Sequence, residues 1–332
     1  MVARRRGKKK SGRSYAWRYR GRIVACVFVE VIIICALVIM IGWNKGVKEW
    51  FEQFEQPVLK EVDISGINSP NAILMQARGG KILGEINGEA QIYPASMTKI
   101  MTVILGIENF DDLDEKITLT NEMFSGLYEQ DATQAGFQPG EEVRVIDLLY
   151  GAMLPSGAEC CIALADTISG SEADFAELMN KKAGKLGMEN THFCDSTGLH
   201  NPDHYSTVKD IAVLMKYCIK NDTFREIVET SRHSTGVTNI HPDGITYYST
   251  MFKNLSDPTV TGGKILGGKT GYTSEAGHCL VSFAEIEGRE YIFVSAGASG
   301  ADGNTIPHIQ DAVTVYNRVG AAIEEKMNDN NK

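Results

Sequence analysis

The 332-residue chain reads as an α+β protein: an antiparallel sheet built from both ends of one domain, a helical cluster inserted between them, and one N-terminal transmembrane helix. Three observations predict this. Strand-like apolar runs occur near residues 71–87 and again after residue 277, whereas between them apolar residues recur at the three- and four-residue spacing of helices. Ahead of both lies an apolar stretch, residues 23–43, whose only charge is Glu30.

That stretch is long enough, at about 1.5 Å per residue, to cross a hydrocarbon core of about 30 Å. Residues 1–22 carry ten Lys and Arg and no acidic residue, so the positive-inside rule places them in the cytoplasm and everything after residue 44 outside. The stretch ends without a small-x-small cleavage pattern, which predicts an uncleaved signal anchor in the cell membrane. Residues 44–60 then read as a juxtamembrane linker, 61–324 as one extracytoplasmic domain and 325–332 as a polar tail.

Setting the ten N-terminal cations aside turns the net charge of −9 into −19, which excludes non-specific nucleic-acid binding. Five cysteines, Cys160, Cys161, Cys194, Cys218 and Cys279, fall in the external part; a domain this size holds together without disulfides, so most are expected to be free thiols. No Cys or His spacing suggests zinc, and no cofactor is expected.

In chain order, residues 71–77 and 81–87 form a hairpin about Arg78-Gly79-Gly80. A helix opens at Ser96 and runs to about residue 109, with Met97, Ile100, Met101, Ile104 and Leu105 on its apolar face. Helices follow over 145–154, 160–169, 173–185, 207–221 and 223–229. Strands are expected at 245–252, 278–286 and 289–297, the last two joined at Glu287-Gly288, and a helix over about 305–325 closes the domain.

Two chemistries compete for Lys269-Thr270-Gly271. With the preceding residues, Gly263 to Thr270 fits the phosphate-loop pattern G-x-x-x-x-G-K-[ST], which needs a helix directly after Lys-Thr. Strand-like residues follow instead. With the following residues, Lys269 to Thr273 fits the K-T-G box that accompanies a Ser-x-x-Lys nucleophile. Two Ser-x-x-Lys pairs exist, Ser96/Lys99 and Ser206/Lys209. Ser96 opens an apolar helix with Lys99 one turn on, so a weak hydroxyl nucleophile has an amine within reach. Ser206 reads as part of a helix cap near Thr207. Lys99 can act as a base only if burial or a nearby cation favours its neutral form, and Lys269 is the expected cation. Gly271 lets the backbone approach the substrate closely.

Pro94 to Thr102, Ser156-Gly157, Met179-Asn180 with Leu186-Gly187-Met188, Thr197-Gly198-Leu199, His204 to Thr207 and Lys269 to Thr273 together resemble the D-alanyl-D-alanine carboxypeptidases, low-molecular-mass penicillin-binding proteins. The resemblance spans about residues 62–320 and implies a β-lactamase/transpeptidase-like fold. It also implies that Ser96 attacks the bond between the two D-alanines of a peptidoglycan stem peptide, that Lys99 is the general base, and that Ser156 relays a proton to the leaving amine. Lys269, Thr270 and Thr273 would hold the terminal carboxylate. Backbone N–H groups of Ser96 and Tyr272 would form the oxyanion hole, and β-lactams would acylate the same serine.

Two departures stand out. The family's second box usually reads Ser-x-Asn, yet here it is Ser156-Gly157-Ala158, without the side-chain amide. Only about sixty residues follow the K-T-G box, fewer than a β-rich C-terminal domain and an amphipathic anchor need, so the N-terminal helix is expected to replace that anchor. Other readings are a membrane-bound β-lactam sensor, a DD-endopeptidase of the same fold, a β-lactamase with Glu177 as the deacylating carboxylate, and a zinc peptidase at His200 and His204, whose spacing Pro202 interrupts.

Overall fold

The computed structural model describes residues 59–300 and 306–330. The predicted basic tail, membrane anchor and nearly all of the linker lie outside the described residues, among which no helix is long and apolar enough to cross a membrane. The chain divides into two compact units, Met1–Pro57 and Val58–Lys332. In the second, packing starts at once: Leu59, Val62 and Ile64 are buried.

Strands β1 (Asn71–Gln76) and β2 (Ile82–Ile86) form the expected hairpin, with Gly79 and Gly80 both at positive φ in its turn. The chain then enters helix α1 (Lys99–Asn109), a two-stranded ribbon of β3 (Lys116–Thr118) and β4 (Glu142–Arg144), and helices α2 (Val145–Met153), α3 (Ala158–Ser169), α4 (Glu172–Leu186), α5 (Val208–Cys218) and α6 (Asp222–Glu229). A second ribbon, β5 (Arg232–Ser234) and β6 (Thr246–Tyr248), precedes the short helix α7 (Thr250–Asn254). Strands β7 (Thr259–Val260), β8 (Gly263–Thr273), β9 (Gly277–Ile286) and β10 (Arg289–Ala298) lead to helix α8 (Pro307–Asn330).

The main sheet runs β2-β1-β10-β9-β8-β7, antiparallel throughout, so strands from both ends of the domain meet at the β1–β10 pair. Both faces are covered. Along β9, Cys279, Val281 and Phe283 pack with the helical cluster, while Leu280, Ala284 and Ile286 pack with Val315, Tyr316 and Val319 of α8. Period-two alternation therefore serves two apolar layers rather than one wet and one dry face. Glu287 and Gly288, at φ 48 and 67, make the tight β9–β10 turn, whose twist suits a two-residue hairpin. Helix α1 is buried on every side from Lys99 to Gly106 and forms the axis of the helical cluster.

Two expectations are corrected, and one strand was not expected. Residues 245–252 are a three-residue strand followed by a helix, because the Ser249 hydroxyl accepts the Phe252 N–H and starts α7. Strand β8 escapes a period-two reading because glycines occupy four of its positions; a Cβ at Gly267 would lie 2.4 Å from the Val228 carbonyl oxygen, and one at Gly268 2.4 Å from that of Val281. Helix α8 continues to Asn330, through most of the segment read as a polar tail.

Candidate active site

Ser96 sits in a 3-10 turn, Ala95–Thr98, that leads directly into α1 at Lys99. The residue before it, Ala95, is held at φ 47, a conformation disfavoured for a side-chain-bearing residue. Lys99 is 3% exposed, and its Nζ lies 3.0 Å from Ser96 Oγ and 2.6 Å from the Thr197 carbonyl oxygen. Hydroxyl and amine are thus within hydrogen-bond reach, as the Ser-x-x-Lys spacing predicts.

Ser156 comes from the loop between α2 and α3 and is itself at φ 73. Its Oγ accepts a hydrogen bond from Lys269 Nζ at 3.0 Å, and Lys269 also donates to the Thr270 carbonyl at 2.8 Å. Two of the three N–H groups of a protonated Lys269 are therefore engaged, and the side chain is 1% exposed. Its charge stands behind the cleft surface rather than projecting from it.

Burial pushes both amines below the ordinary lysine range. At Lys269 the neighbouring Lys99 charge adds to the effect; at Lys99 the opposing influences are Cys161, Asp195 and Glu159. The sequence suggested that Lys269 would depress Lys99. Burial is the larger cause for both, and the mutual repulsion registers on Lys269.

Strand β8 brings the K-T-G residues to the serine. A Cβ at Gly271 would lie 3.0 Å from the Ser96 amide nitrogen, so residue 271 passes directly beside the Ser96 backbone. Lys269, Gly271 and Thr273 pair with Val281, Cys279 and Gly277, on the face that packs against the helices. Thr270 and Tyr272 alternate with them; the Thr270 hydroxyl bonds Thr250 Oγ1 at 2.7 Å, and Tyr272 is 61% exposed with its ring against His278. The Thr273 hydroxyl oxygen accepts the Ala276 N–H at 3.0 Å. Since β7 pairs only with Gly263 and Lys264, the outer edge of β8 from Ile265 to Thr273 has no strand partner among the described residues.

Ala158 is buried, and its N–H donates to the Thr133 carbonyl at 2.8 Å. It brings no polar side chain to the cleft. Ser206 pairs with Thr191 and Lys209 with Glu89, while Thr207 caps α5, so the second Ser-x-x-Lys pair is structural. Glu177 lies exposed on α4, and all five cysteines of the described region are free. His200 packs edge-on against Tyr93, whereas His204 is buried and bonds Thr98. Thr197 and Gly198 emerged from the sequence only as part of a matching box, and Asp195 was missed, although an Asp three positions before a Gly is a turn signal. Asp195 and Thr197 line a cavity of about 430 Å³ that Ser96 does not line.

A serine and a lysine one helical turn apart, beside a Lys-Thr-Gly strand in a helix-covered antiparallel sheet, are the architecture of Ser-x-x-Lys peptidases. The profile of the D-alanyl-D-alanine carboxypeptidase family matches residues 58–300, and the chain belongs to that family. It is 35% identical over 231 residues to the D-alanyl-D-alanine carboxypeptidase DacF of Bacillus subtilis (strain 168), which covers 69% of this chain and 57% of the relative. It is also 35% identical over 236 residues to a D-alanyl-D-alanine carboxypeptidase of Streptomyces sp. (strain K15), covering 69% of this chain and 78% of that one. The chain thus spans little more than half the length of the Bacillus relative. Among solved structures, a Streptomyces K15 DD-transpeptidase variant superposes with a TM-score of 0.70 at 30% identity, over 77% of this chain and 98% of that one. A D-alanyl-D-alanine carboxypeptidase structure from Mycobacterium tuberculosis H37Rv, 22% identical, shares the fold with a TM-score of 0.69 over 80% and 96% of the two chains.

Proposed function

We propose that this protein is a serine-type D-Ala-D-Ala carboxypeptidase that removes the terminal D-alanine of peptidoglycan stem peptides, anchored in the cell membrane by residues 23–43 with its catalytic domain outside. The observation that carries the reading is the buried Lys99 amine 3.0 Å from Ser96 Oγ, with Ser156 and Lys269 forming a second serine–lysine pair beside it.

The substrate lies as an extended strand along the open edge of β8, where main-chain hydrogen bonds give affinity. Its carboxylate meets the hydroxyls of Thr270 and Thr273, and the charge behind them favours a proton on Lys269. That ammonium in turn favours a neutral Lys99. Lys99 takes the Ser96 hydroxyl proton as Oγ attacks the penultimate D-Ala carbonyl carbon. The oxyanion accepts from the backbone N–H groups of Ser96 and Tyr272, where losing one such donor typically costs about 100- to 1000-fold in rate. Ser156 passes a proton to the leaving amine as the C–N bond breaks and is resupplied through Lys269, which in turn recovers the proton that Lys99 took from Ser96. Water then attacks the ester, releasing the shortened peptide and restoring Ser96. β-Lactams acylate the same oxygen.

The test is release of free D-alanine from a pentapeptide stem, with Ser96→Ala alongside. Loss of release in the variant is expected, and undiminished release would remove Ser96 as nucleophile. A second reading, transfer of the acyl group to an amine, is favoured by the resemblance to a structure described as a DD-transpeptidase. Adding a glycyl acceptor to the same assay distinguishes the two: a cross-linked product in place of the hydrolysed one supports transfer.

A further inference from the structure

The amine of Lys99 is gripped from outside the Ser-x-x-Lys turn. Its nearest partner, at 2.6 Å, is the Thr197 carbonyl, which belongs to a turn folded around one carboxylate. Asp195 Oδ1 accepts from the Thr197 N–H, the Thr197 hydroxyl and the Gly198 N–H, each at 2.7 Å. Asp195 Oδ2 lies 3.2 Å from Nδ1 of His204, and His204 Nε2 lies 2.9 Å from the hydroxyl of Thr98, the residue before Lys99. The turn is pressed onto the serine loop as well: Gly198, at φ 79, would place a Cβ 1.9 Å from the Ala95 carbonyl oxygen.

We propose that Asp195, His204 and Thr98 are positioning residues for the general base, holding the Thr197 carbonyl on one N–H of Lys99 so that the amine lone pair faces Ser96. This rests on the reading of Lys99 as that base. A neutral amine has two N–H groups and one lone pair on a freely rotating bond. Fixing one N–H at 2.6 Å restricts the rotation, leaving the lone pair to point along the 3.0 Å line to Ser96 Oγ.

The tautomer follows from the charges. Nδ1–H of His204 is given to the Asp195 carboxylate in preference to accepting the Cys194 N–H at 3.2 Å, and Nε2 accepts the Thr98 O–H. Burial alone would raise the Asp195 carboxyl, but the hydrogen bonds from His204 and Thr197 hold it below its ordinary range, so it stays charged. Thr98 is fully buried and His204 is 2% exposed, which gives the clamp no competing water.

The test is the acylation rate constant of the full chain with a penicillin, separated from the dissociation constant of the pre-acylation complex. Thr98→Val keeps the shape and removes the hydroxyl. It is expected to slow acylation by roughly ten- to a hundredfold with the dissociation constant unchanged, and Thr98→Ser is expected to restore the rate. Acylation of Thr98→Val at the wild-type rate, or an equal loss in Thr98→Ser, would overturn the proposal. A wild-type chain that is not acylated at all would instead overturn the functional reading.

Asp195→Asn gives an independent readout if the valine variant does not fold. Lys99 is faced by Asp195, Glu159, Cys160 and Cys161, with Lys269 near enough for the Lys99 charge to act on it. All four acidic groups favour the protonated amine, so losing the Asp195 carboxylate moves the acid limb of the acylation profile to lower pH while the plateau falls. An unmoved limb would show that Asp195 acts only on folding.

Discussion

Lys269 and Lys99 are two lysine side chains packed where almost no water reaches, which is costly for the fold and useful for the chemistry. Both amines bind protons less readily in the folded chain than in the unfolded one, because burial penalises the charge. Between each lowered folded value and the ordinary lysine value, about 10.4, the unfolded state therefore holds more protons, and stability rises with pH across that window. Replacing Lys269 by Met removes the buried amine while keeping the length of the side chain. The expected result is a fold more stable by about 1–3 kcal/mol that no longer releases D-alanine, read by thermal melting at neutral pH and by the pentapeptide assay. A lower melting temperature would show that the bonds to Ser156 and Thr270 outweigh the burial penalty. In the intact protein the same lowering of Lys99 predicts acylation that falls as pH drops, with its midpoint below the ordinary lysine range, measurable as penicillin acylation against pH.

The elements around the site are held by a few buried carboxylates as much as by apolar layers. Asp311, on α8, accepts from the N–H and side-chain amide of Asn68 and from the N–H and hydroxyl of Ser69, at 2.6–2.9 Å, and so fastens α8 to the segment entering β1. Asp311→Ala leaves the buried groups of Ser69 without an acceptor and is expected to cost about 2–4 kcal/mol, seen in chemical denaturation. Acylation at low temperature should survive, because α8 covers the sheet face opposite the helical cluster; a large loss of acylation without a stability change would contradict that separation. Such links were not legible in the sequence, since Asn68 and Asp311 are joined only by the fold. Legible features depended on short-range physics: the β9–β10 hairpin at Glu287-Gly288, the apolar core helix α1, and the Ser96/Lys99 spacing that one helical turn enforces. Strand β8 was hidden because its glycines respond to neighbouring backbone rather than to a period. The backbone angle of Ser156 and the hold of residues 195–198 on Lys99 were hidden for the same reason, as each depends on segments distant in sequence. Ala158 was visible as a departure, while the engagement of its N–H with Thr133 needed the structure.

At the scale of the whole chain, the compact unit Val58–Lys332 contains every residue of the candidate site, from Ser96 to Thr273, and both apolar layers of the sheet. Its first buried residue among the described ones is Leu59, two positions after the boundary between the units. A fragment beginning at Val58 keeps all of that unit and is expected to fold and to be acylated by a penicillin at a rate within about twofold of the full chain. The two forms should differ in where they are found. Residues 23–43, with ten cations before them, would hold the full chain in the membrane fraction through high-salt and carbonate washes, whereas the fragment would stay in the supernatant. A full chain released by those washes would remove the anchor from the proposal and leave the peptidase reading intact. A soluble, folded fragment that is not acylated would show instead that the N-terminal unit takes part in the chemistry.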